Sequence, residues 1–98
     1  MKSDRELLVL AARAAGYNYM PNSGAISSDG IPCRWNPLTD DGDALRLAVR
    51  LWLDLNINDG QCDVFSSEGF YNCRDDDTAA ATRRAIVRAA AAIGEAME

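Results

Sequence analysis

Trp35-Asn36-Pro37-Leu38-Thr39-Asp40-Asp41-Gly42-Asp43-Ala44-Leu45-Arg46-Leu47-Ala48-Val49-Arg50-Leu51-Trp52 reads as a turn, an acidic helix start and a helix that is apolar around most of its circumference. Asn36-Pro37 sets the turn, because proline fixes φ and biases the residue before it toward extended geometry. Thr39, Asp40 or Asp41 supplies the cap, and the negative charge of Asp40, Asp41 and Asp43 suits the positive end of a helix dipole. From Ala44 to Leu53 only Arg46 and Arg50 are polar, and they share one narrow stripe. So little polar surface predicts a helix over about 41–52 that other protein covers on more than one side, with Trp35 and Trp52 in the core. Any flank left over would suit a homodimer contact.

Upstream, Ser3 and Glu6 have the spacing of a capping box, and Leu7, Leu8, Ala11, Ala14 and Ala15 fall near one face at helical spacing. Gly16 suits a left-handed stop, which predicts a first helix over about 4–15. Short strands are expected at 17–20, 25–28 and 31–35, separated by the turn Pro21-Asn22-Ser23-Gly24 and the hairpin pair Asp29-Gly30. Pro32 confines the last of these to a sheet edge or a loop.

Downstream, Leu53, Leu55 and Ile57 alternate with Asp54, Asn56 and Asn58, the period of a half-buried strand. Turns at Asn58-Asp59-Gly60 and Ser67-Glu68-Gly69 separate it from strands at 62–66 and 70–74, which together predict an antiparallel meander. Asp75-Asp76-Asp77-Thr78 opens a final helix over about 77–97. Its apolar stripe is Ile86, Ala90, Ile93 and Met97, and its many alanines let a second backbone come close. The expectation is one α+β domain over 1–98: three helices and a small, mostly antiparallel sheet sandwiched between them in α-β-α layers. Helix 2 would lie on one sheet face and helices 1 and 3 on the other.

Composition narrows the function classes. A net charge of -5 disfavours a role gripping nucleic-acid phosphates and leaves room for a basic protein partner. The chain has no histidine, which removes the commonest general base and zinc ligand and any Ser-His or Cys-His pair. Cys33, Cys62 and Cys73 show no CxxC spacing and read as reduced thiols in a cytoplasm, with a Cys62–Cys73 bridge across a hairpin left open. The first residues carry acids where a signal peptide would be basic, and no apolar run approaches membrane-spanning length.

No constellation carries catalysis by itself. Asp40, Asp41 and Asp43 have the oxygen chemistry for a divalent cation, and equally the placement for capping. Asp54-x-Asn56-x-Asn58 begins like a calcium loop but has Asp59 where that loop needs glycine and Phe65 where it needs glutamate, so it reads as strand. Arg83, Arg84 and Arg88 have the donors for phosphate or carboxylate, or else pair with acids on a solvated face.

The stretch Trp35 to Val49 quoted above, joined to Ala81-Thr82-Arg83-Arg84-Ala85-Ile86-Val87-Arg88-Ala89-Ala90-Ala91-Ala92-Ile93-Gly94, resembles the bacteriophage ABA sandwich domain family, small proteins of phages and prophages. The resemblance implies a sheet between helical layers and a phage protein acting in a bacterial cytoplasm. It brings no catalytic residues to transfer. The expected function is therefore a non-enzymatic phage accessory protein that binds a host or phage protein, without cofactor, metal or membrane. Its candidate surface is Trp35 with Asp40, Asp41 and Asp43. The alternative is a small-ligand or divalent-metal site at the same acidic helix start.

Overall fold

Each helix begins where the sequence supplies a side-chain acceptor just before it. In the computed structural model the described residues are 2–20, 22–28 and 31–97. Ser3 caps α1 (Asp4–Ala15) in a complete capping box with Glu6, and Gly16 ends it at φ 79°. Asp40 caps α2 (Asp41–Arg50), and Asp77 caps α3 (Thr78–Ala96) through the Ala79 N–H.

Six strands lie between the helices. β1 (Asn18–Met20), β2 (Ala25–Ser28) and β3 (Ile31–Arg34) pair antiparallel in that order, with the Pro32-bearing strand at the edge. β4 (Asp54–Asn58), β5 (Gln61–Ser66) and β6 (Gly69–Arg74) form the expected meander as a second, separate sheet. The expected Asp29-Gly30 hairpin turn, and Pro21 of the turn before it, lie outside the described residues.

In the second sheet, Ile57 pairs with Cys62 and Cys62 with Cys73, while Leu55 pairs with Val64 and Val64 with Tyr71. These pairs share the face toward α3, and Cys62, Val64 and Cys73 on it are buried. Phe65 and Phe70 stand opposite each other on the other face, ring centroids 4.8 Å apart and both exposed.

The central element is α3. It packs on α1, on α2 and on all three strands of the second sheet. It is buried at Ala81, Ala85, Ile86, Val87, Ala89, Ala90, Ala91 and Gly94, far wider than the single stripe expected. α1 comes close at Gly94, where an added Cβ would lie 1.9 Å from the Leu10 carbonyl oxygen. β1 of the first sheet then packs on α1.

The α+β class, the three helices and the antiparallel strands stand as expected. The placement of α2 does not. Instead of covering a sheet face, α2 docks on α3 through Ala44, Leu47 and Ala48 and leaves its other side open. The strands split into two sheets, so the covering layer is supplied by α3 with α1, and α2 is left peripheral.

Candidate functional site

Asn36 organises the opening of α2. Its side-chain oxygen accepts the Leu38 N–H at 3.0 Å, its carbonyl accepts the Thr39 and Asp40 N–H groups, and its own N–H donates to Asp43 at 2.9 Å. Pro37 beside it is fully buried. Asp40 accepts the Asp43 N–H at 2.8 Å, and Asp43 also holds Arg46 at 2.6 Å. That carboxylate raises the Arg46 pKa, chiefly through the hydrogen bond. Asp41 pairs with Arg83 of α3 at 2.6 Å, and Arg83 also donates to the Leu38 carbonyl.

The three expected acids are thus brought together, each with a protein donor of its own. Among the described residues no group of three or more cysteine, aspartate or glutamate side chains is placed to hold a metal ion.

Of the two tryptophans expected in the core, one lies there and the other does not. Trp35 is only 5% exposed, with Tyr17 and Tyr19 edge-on to it at 5.8 and 6.0 Å. It supports the site from the core and is not an anchor on the surface. Trp52, expected in the core, is 91% exposed.

The reason is the way α2 ends. The Trp52 N–H donates to the Val49 carbonyl and the Leu53 N–H to the Ala48 carbonyl, the paired bonds of a Schellman stop. That motif needs a left-handed residue just past the cap, a place glycine usually fills. Here it is Trp52, at φ 57°. The turn leaves the indole exposed, and Leu45 (59% exposed) and Val49 (67% exposed), one turn apart on α2, are exposed as well.

The sequence held a signal for this arrangement. The alternation beginning at Leu53 shows that the helix must stop before it, and no glycine is available to make the stop.

The remaining arginines separate. Arg83 faces α2, whereas Arg84 and Arg88 line an open groove of about 800 Å³ with Lys2, Tyr71 and Glu95. Lys2 pairs with Glu95 at 2.5 Å and Arg84 with Asp4 at 3.3 Å, while an Arg88 N–H lies 3.6 Å from the Cys73 sulfur. Arg83 is therefore set apart from Arg84 and Arg88, which share the groove with Lys2. Cys62 and Cys73 face each other across β5 and β6 as free thiols, and burial pushes the Cys62 thiol pKa up. The Asp54-x-Asn56-x-Asn58 segment is strand β4, as the alternation requires.

No helix among the described residues is long and apolar enough to cross a membrane. No family model matches the chain, and no curated protein matches it. Its fold is similar to that in a 2.0 Å crystal structure of a phage protein from Bacillus cereus ATCC 14579, with a TM-score of 0.63 at 16% identity. The match covers 91% of this chain and 88% of that one. At that identity the likeness is one of fold: the chain has the architecture of a phage protein over nearly its whole length.

Proposed function

We propose that this chain is a non-enzymatic protein-binding module, a phage accessory protein of the ABA sandwich kind that engages a host or phage protein in the bacterial cytoplasm. The observation that carries the reading is the outward side of α2. Leu45 and Val49 are exposed one turn apart there, Trp52 is exposed just past the helix end, and it is held in a backbone conformation that disfavours any bulky residue.

A left-handed non-glycine residue costs about 1–2 kcal/mol. An exposed side chain returns none of that through packing within the monomer. Tryptophan is also the residue type most enriched among contacts that dominate binding energy. The partner that fits presents an apolar pocket for the indole and basic side chains toward Asp40 and Asp41, whose carboxylates lie exposed at the other end of the helix. Asp43, mostly covered, and Trp35 hold that surface in shape from behind.

Capture from host lysate on immobilised protein tests the reading when wild type is run beside Trp52→Ala. A partner retained by wild type and lost by Trp52→Ala supports it. The same proteins retained by both, or none by either, overturns it.

A further inference from the structure

The second sheet has an edge that nothing covers, and its chemistry can be derived bond by bond. The Asp75 N–H donates to the Gly60 carbonyl at 3.0 Å, one ladder step beyond the Gln61–Arg74 pair. Antiparallel ladders alternate bonded and non-bonded pairs, so Cys62, Val64 and Ser66 bond to β6. Gln61, Asp63 and Phe65 must then bond the other way, to Asn58, Asn56 and Asp54.

By the same alternation, the N–H and C=O groups of Leu55 and Ile57 point away from β5, out of the sheet. Among the described residues no strand pairs with that side of β4. Ile57 is 54% exposed although its side chain lies on the helix-facing side, because α3 covers chiefly β5 and β6.

Protein edges are normally blunted by proline, lysine or a bulge. β4, Asp54-Leu55-Asn56-Ile57-Asn58, carries none of these and pairs with β5 without interruption; its one charge, Asp54, sits at its first residue, outside Leu55–Ile57.

We infer that β4 pairs antiparallel with β4 of a second copy of this chain, making one continuous six-stranded sheet. The strand is self-complementary about Asn56. Leu55 then faces Ile57 of the second copy, and Ile57 faces its Leu55, so all four outward backbone groups on each chain are satisfied. The apolar pairs fall on the helix side, and Asp54 meets an uncharged Asn58 instead of another carboxylate. A register shifted by one residue would set Leu55 against a polar asparagine and turn the apolar side chains of one strand to the wrong face, and a shift of two would set Leu55 or Ile57 against itself and leave the outward groups only partly paired.

A strand of this length buries less than the ~800 Å² per partner of a standard interface, so the association is weak and concentration-dependent. It does not depend on the function proposed above.

The test combines sedimentation velocity with amide exchange followed by NMR, from about 10 µM to about 1 mM protein. The expected result is a dimer that grows with concentration, with exchange at the Leu55 and Ile57 amides slowed at least about fivefold at the upper end. Ile57→Pro removes an outward donor without touching the β5 ladder and is expected to abolish the dimer with unchanged circular dichroism. Ile57→Lys should also weaken it, and Trp52→Ala should leave it intact.

A monomer throughout overturns the proposal. So does a dimer that survives Ile57→Pro in the folded state, or one that Trp52→Ala abolishes. Should Ile57→Pro fail to fold, amide exchange in the unaltered chain decides alone: slowing with concentration supports the pairing, and an unchanged rate overturns it.

Discussion

α2 and α3 invert each other. α2 is built of leucine, valine and arginine, and much of it lies at the surface; α3 is built largely of alanine and sits at the centre. The difference teaches that apolar bulk around a helix does not measure how much of it is covered. Cover depends on how many neighbours can come close. Small side chains shorten the distance between helix axes, which lets α3 meet α1, α2 and a sheet at once. Leucine and valine hold a neighbour farther off, and α2 finds only one layer to rest on.

The sharpest way to break this comparison is at Gly94. Alanine there would gain helix propensity of about 1 kcal/mol. Its Cβ, however, would sit 1.9 Å from the Leu10 carbonyl oxygen, backbone that cannot move without parting α1 from α3. Gly94→Ala is expected to lower stability by more than about 3 kcal/mol in urea unfolding followed by circular dichroism. An unchanged midpoint would mean that the two helices are not in close contact.

The comparison also makes a prediction within α2. Leu47 is 1% exposed against α3, and Leu45, half a turn away, faces outward. Leu47→Ala should cost about 3 kcal/mol. Leu45→Ala should cost less than about 0.5 kcal/mol. Equal losses in the same unfolding assay would show that α2 is covered on both sides, as its composition first suggested.

Element positions were legible in the sequence because each boundary rests on local chemistry. Ser3 with Glu6, Gly16, Asp40 and Asp77 set helix ends, and the alternation at Leu53, Leu55 and Ile57 sets a strand. The pairing of these elements was not legible, because it depends on contacts between distant residues. Nothing local to Asn18–Arg34 or Asp54–Arg74 says whether their strands join one sheet or two.

At the candidate site the acids were legible as a helix start, and Asp40 proved to be the cap among three contenders. Inferring burial from residue type succeeded for Trp35 and failed for Trp52. Trp35 is enclosed by Tyr17 and Tyr19 from a distant segment, and Trp52 is turned out by the way its helix stops.

Trp52 offers the finest test of why α2 stays open, because stability and binding should move in opposite directions there. Glycine suits φ 57° without the clash that any Cβ brings, and the indole it would replace makes little contact with the rest of the chain. Trp52→Gly is therefore expected to stabilise the monomer by about 1 kcal/mol, read as a raised unfolding midpoint, the relief of the left-handed strain. The same change should abolish capture of the partner. A residue that costs the fold energy and yet carries the contact is a common trade between stability and function. If Trp52→Gly instead destabilised the chain, the indole would be packing against something within the monomer, and the open face of α2 would be closed after all.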